Sequence, residues 1–155
     1  MSAERGPRSR RLSRRTLLSS LLVAAPSAAS SSAASSPAAK RPAGDYLTAA
    51  WWLVQEASRA GEFLRPRLSD RKLAEVLRRI AEGRLSAAQR LDVPEEVGVA
   101  HPHLLLMLEH YERAAAAAVV GDTKRGGVLL RDALQEEQLF RSILKQLGMS
   151  LGPGP

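Results

Sequence analysis

The chain has 155 residues and a mass of 16.7 kDa, which bounds it to a single domain. Its formal charge of +7 comes from 23 Lys and Arg against 16 Asp and Glu, but eight of the bases and one acid, Glu4, lie in residues 1–41, so the body sums to zero and presents no net field for nucleic acid or acidic lipid. The absence of cysteine excludes disulfides, iron–sulfur clusters, thiolate zinc sites, thiol nucleophiles and a lipidated cysteine.

Residues 1–15 are polar and Arg-rich, residues 16–25 read Thr-Leu-Leu-Ser-Ser-Leu-Leu-Val-Ala-Ala, and residues 26–39 contain only Ala, Ser and Pro. A basic, an apolar and a small-residue region in this order form the pattern of a secretory signal. The apolar stretch is about half the length of a spanning helix, so no permanent membrane span is expected. Inside the basic region stands Ser13-Arg14-Arg15-Thr16-Leu17-Leu18. Residues 10–34 thereby resemble a twin-arginine (Tat) signal peptide, with Ser19 standing where that pattern often has Lys. The resemblance implies recognition of Arg14 and Arg15 by the Tat export machinery and delivery to the periplasm or cell envelope. It also implies passage of a folded protein that carries a cofactor or travels with a partner. Small-residue pairs at Ser27 and Ala29, or Ser32 and Ala34, place cleavage after Ala29 or Ala34. The expected plan is a signal over 1–34, a flexible leader over 35–44, a helical domain over 45–148 and a flexible tail over 149–155.

The body reads as all-α. Asp45 is the expected cap of a first helix with Leu47, Ala50, Trp51, Val54 and Ala57 on one side and Gly61 as its stop. Pro66 breaks the chain, and Ser69 then caps a second helix with Leu73, Val76, Leu77 and Ile80 inward, ending at Gly83. Ser86 to Gln89 form a capping-box pattern that suggests a short helical turn before Pro94. Residues 92–100 read as an irregular connection packed on the bundle.

A third helix begins with Pro102 in its first turn and runs to Val120, with Leu104, Leu108, Tyr111, Ala115 and Ala118 inward and Gly121 as its stop. A fourth follows Asp122, weakened at Gly126 and Gly127, with Leu130, Ala133, Glu137, Phe140, Leu144 and Leu147 as its stripe, and Gly148 ends it. Strand patterns are nearly absent. The expected fold is a small four-helix bundle.

All three histidines, His101, His103 and His110, fall within ten residues near Met107, and Glu137 occupies an apolar position of the fourth helix. A carboxylate there needs a donor, a metal or a partner. Tyr111 and His110 are the favoured donors, with arginines of the second helix as further choices. His101, His103, His110 and Glu137 are the candidate metal ligands, and His110 or Met107 could hold non-covalent haem. Spacing weighs against the metal: His103 and His110 stand about 10 Å apart along a helix, too far to share one ion readily. A simpler role for His101 and His103 is to accept the exposed N–H groups of their own helix start.

No nucleophile elbow, phosphate loop or metalloprotease motif is present, so no catalytic residue is assigned. The primary reading is a non-catalytic exported accessory or interaction protein with a protein partner or a second copy, without bound cofactor or nucleic acid. Small signal-bearing subunits of exported flavin dehydrogenases resemble this chain in plan only. The alternative is an autonomous metal- or haem-binding bundle centred on His103, His110 and Glu137.

Overall fold

A computed structural model describes residues 43–152. The Tat-like segment, its cleavage positions, the leader as far as residue 42 and residues 153–155 lie outside the described residues.

Four helices account for most of the described chain: α1 Ala43–Leu64, α2 Arg71–Gln89, α3 His101–Val119 and α4 Thr123–Gln146. Short 3-10 turns at Arg65–Arg67 and Glu95–Val97 join the first three. Among the described residues there is no strand.

Neighbouring helices run antiparallel, as particular contacts show. Arg71, the first residue of α2, lies beside Gly121 just past the end of α3, and Leu68 packs against Gly126 near the start of α4. At the far end, His103 of α3 meets Glu136 of α4. On α1, Glu56 meets Arg84 of α2. α3 is the central element, packed along both α2 and α4, while α1 covers them with fewer close approaches.

The interior of α3 and α4 matches the sequence pattern. Leu104, Leu108, Tyr111, Ala115 and Ala118 are buried on α3, as are Leu130, Ala133, Phe140 and Leu144 on α4. Met107 is also wholly buried. Fully burying one such Leu, Met or Phe side chain contributes roughly 1.5–3 kcal/mol. The i,i+4 ion pairs Glu75–Arg79, Glu109–Arg113 and Glu137–Arg141 all form, but each adds only about 0.2–0.5 kcal/mol. Apolar packing therefore dominates over surface charge.

Helix α2 departs from expectation. Its buried face is Ala74, Ala81 and Ala88, a seven-residue repeat of the smallest side chain that lets its backbone approach α3 closely. Val76 and Ile80, expected inward, are 56% and 42% exposed. The helix also continues through Gly83 and absorbs the separate turn expected at Ser86, because the next Pro is Pro94. Asp70, not Ser69, is its cap, accepting from the Leu73 N–H at 3.0 Å.

The ends differ in smaller ways. α1 begins at Ala43, inside the segment assigned to the leader, and passes through Gly61 to Leu64, so neither the Asp45 cap nor the Gly61 stop holds. Trp51 and Trp52 form an edge-to-face pair with ring centroids 4.6 Å apart, Trp52 exposed and Trp51 half-buried. Gly126 and Gly127 lie within α4, where Asp122 caps the first turn by accepting from the Arg125 N–H. Gly121 and Gly148, with φ of 85° and 73°, supply the left-handed turns after α3 and α4. Leu147 is exposed rather than inward. Beyond Gly148, Met149 and Leu151 fold back on the core, so the tail is partly packed rather than free.

Candidate functional site

The polar side chains at the helix seams form three separate groups. The first centres on Glu137. Its position in the α4 stripe directs the carboxylate inward, leaving the side chain 13% exposed. Ser58 of α1 donates its hydroxyl to Oε2 at 2.6 Å, and Arg141, one turn along α4, donates Nε to Oε1 at 2.9 Å. Both oxygens thus have donors, one neutral and one charged. These are not the favoured donors: His110 and the α2 arginines do not bond Glu137, and Tyr111 reaches it only through its neighbour Ser58. The reason is registry. α1 lies over the α4 seam and brings Ser58 to the carboxylate first.

Tyr111 is the inner end of this chain. Burial pushes its phenol up, the Ser58 hydrogen bond draws it down, and the Glu137 carboxylate raises it again. Beside its ring lies a cavity of about 20 Å³, walled by Ala57, Gly61, Ala81, Leu108 and Arg84 among others. That is room for about one water and not for an organic substrate. Burial lowers the Arg84 guanidinium, with Glu56 opposing, and the two charges stand 3.4 Å apart.

The second group lies at the start of α3, where the Pro102 turn holds two imidazoles. Nδ1 of His101 is 3.1 Å from the Tyr46 hydroxyl of α1, and the rings meet edge-on. Burial lowers His101 and raises Tyr46, so both groups are held neutral. Nδ1 of His103 is 2.7 Å from Glu136 Oε2. An ionised carboxylate only accepts, so Nδ1 carries the proton in this pair. Neither ring caps α3, which has no side-chain cap. Both reach sideways to neighbouring helices instead.

His110 forms the third group alone. Among the described residues its Nδ1 is buried without a hydrogen-bond partner. The four residues singled out as metal ligands therefore occupy distinct places: His101 with Tyr46, His103 with Glu136, Glu137 with Ser58 and Arg141, and His110 by itself. Among the described residues, no group of three or more His, Asp or Glu is gathered as a metal ion would need. Met107 sits in the close-packed core, wholly buried.

Sequence reasoning missed Ser58 and Tyr46, while Glu136 stood out beside Glu137 as a nearby carboxylate without being matched to His103. The available signal for Ser58 was a small hydroxyl mid-helix at the margin of an apolar stripe, a place where Ser is neutral to unfavourable unless it finds a bond. Tyr46 stood one residue after the assumed helix cap and so escaped the stripe. No described helix is long and apolar enough to cross a membrane.

In comparisons with known proteins, the chain matches no family model, no curated protein and no solved structure.

Proposed function

We propose that the protein is an exported, non-catalytic accessory protein that holds a protein partner, acting as the signal-bearing member of a complex with a larger cofactor enzyme. The observation that supports this reading is the second apolar face of α2. Val76 and Ile80 stand exposed on a helix already anchored by its alanine face. Large apolar side chains on an amphipathic helix, beyond those its own core needs, are what a partner helix buries. Export in company of a partner is compatible with the Tat-like segment, whose route takes folded cargo.

Native mass of the mature protein, produced together with the products of adjoining reading frames, tests the reading. A stable complex is expected, and Val76→Glu with Ile80→Glu should dissolve it while far-UV circular dichroism stays unchanged. A monomer of identical mass in both forms overturns the proposal.

A further inference from the structure

The zero net charge of the body conceals two oppositely charged ends. Ion pairs with carboxylates engage Arg59, Arg78, Arg79, Arg84, Arg113 and Arg141. Among the described residues the other cations lack such a partner, and six of them gather at one end: Arg65, Arg67, Arg71, Lys72, Lys124 and Arg125. The antiparallel packing brings them together, since Arg71 touches the turn at Gly121 and Leu68 touches Gly126. Three acids share this end: Asp70 and Asp122, which cap helices and keep their charge, and Glu62, so the cations outnumber the carboxylates two to one. The opposite end carries Asp45, Asp92 and Glu95, with Arg90 and Lys145 as the cations among the described residues there.

The basic end also exposes apolar groups. Val120, at the tip of α3, is 73% exposed, and Phe63 is 47% exposed. The Arg67 guanidinium lies 4.1 Å above the Phe63 ring. Next to Val120 a cleft of about 260 Å³ has a floor of Ala116 and Ala117, with Arg113, Arg125 and Asp122 at its sides. Cations interleaved with protruding apolar side chains suit a surface whose charge lies in one plane and whose apolar matter lies just beneath it.

We propose that this end of the bundle docks on the anionic headgroups of a phospholipid bilayer, the cations meeting phosphodiesters and Val120 and Phe63 entering the headgroup layer. A bilayer fits better than an acidic protein face because the apolar groups stand on different helix ends around the cations rather than along one groove. The inference rests on the charge distribution and is independent of the α2 face, which lies along the side of α2.

Co-sedimentation of the full chain with phosphatidylcholine vesicles, with and without phosphatidylglycerol, tests the docking. The Arg-rich residues before 42 also carry charge, so two variants of equal charge change are compared. Lys72→Glu with Lys124→Glu alters the basic end, and Arg90→Glu with Lys145→Glu alters the other. Each cation at an anionic surface contributes about fivefold to binding, so the first variant should bind at least about tenfold more weakly to the anionic vesicles. The second should match the parent. Val120→Ser, at constant charge, should weaken binding severalfold.

Equal losses in both charge variants would assign the attraction to net charge and overturn the proposal. So would parent protein that ignores the anionic vesicles, or that prefers soluble polyglutamate to them with the same dependence on Lys72 and Lys124. An unchanged Val120→Ser would overturn the insertion of apolar groups. All three variants change exposed residues, and circular dichroism checks that each is folded.

Discussion

The ring of Tyr111 fills the space that a side chain at position 61 would need. A Cβ built on Gly61 overlaps Tyr111 Cε1 and comes within 3.0 Å of Cδ1. The ring has no easy retreat, being buried in the core. α1 can approach α3 at this point because position 61 has no side chain.

Gly61→Ala should therefore destabilise the bundle even though it improves helix propensity. The propensity gain is about 1 kcal/mol, while overpacking a close-packed core costs about 1–3 kcal/mol. Gly83→Ala is the control, since a Cβ there meets nothing within 4 Å. It should stabilise the protein by up to about 1 kcal/mol. Urea unfolding of both variants is the measurement. Stabilisation by both substitutions would refute the Tyr111 contact.

These two glycines also show what was legible in the sequence. Both read as helix stops, because composition reports the flexibility of glycine and not the neighbour that requires or tolerates it. The α3 and α4 stripes were readable because large residues such as Leu104, Leu108, Phe140 and Leu144 mark the inner face unambiguously. On α2 the same rule misled, since periodicity gives weight to Val76 and Ile80 over the Ala74, Ala81 and Ala88 that face α3. Glu137 stood out as a carboxylate in an apolar row. Its partner did not, because Ser58 is seventy-nine residues away and inter-helix registry is a property of packing that one helix's pattern does not contain. Arg65, Arg67, Arg71 and Lys72 stand together in the sequence itself, but that Lys124 and Arg125 join them is a property of the antiparallel packing that no local run contains.

Glu137→Gln keeps the side-chain shape and removes the charge shared with Ser58 and Arg141. It should cost about 1–2 kcal/mol, within the range for a hydrogen bond to a charged group. Ser58→Ala should cost a similar amount, and the two together less than their sum. A double-mutant cycle by denaturant unfolding should give a coupling of at least about 0.5 kcal/mol. Strict additivity would mean that the Ser58 bond contributes nothing.

The pair of Tyr46 and His101 makes stability depend on pH. Burial lowers His101 below its ordinary value, so in mildly acid solution the unfolded chain binds a proton that the folded protein resists. This contribution is fully present above the ordinary imidazole value of about 6.5 and is lost as pH falls through the lower folded value. The Pro102 turn reinforces the sign, because a helix start disfavours a cationic ring. His101→Asn should flatten the loss of stability between about pH 7 and pH 5 relative to the parent. A difference between parent and variant that stays constant across this range would show that the imidazole is not held neutral.

The export reading rests on Arg14 and Arg15, placed directly before an apolar stretch too short to span a bilayer. A transporter that reads a guanidinium pair by its planar, forked donors should not accept two ammonium groups of the same charge. Arg14→Lys with Arg15→Lys should therefore leave uncleaved precursor in the cytoplasm, while a single substitution should slow export without stopping it. The folded bundle itself is unaffected, so the retained precursor should show the parent's thermal unfolding. Pulse labelling with cell fractionation follows the outcome. If the doubly substituted precursor is cleaved and appears outside at the parent's rate, charge alone suffices and the chain uses the ordinary secretory route, in which case partner capture before export loses its basis as well.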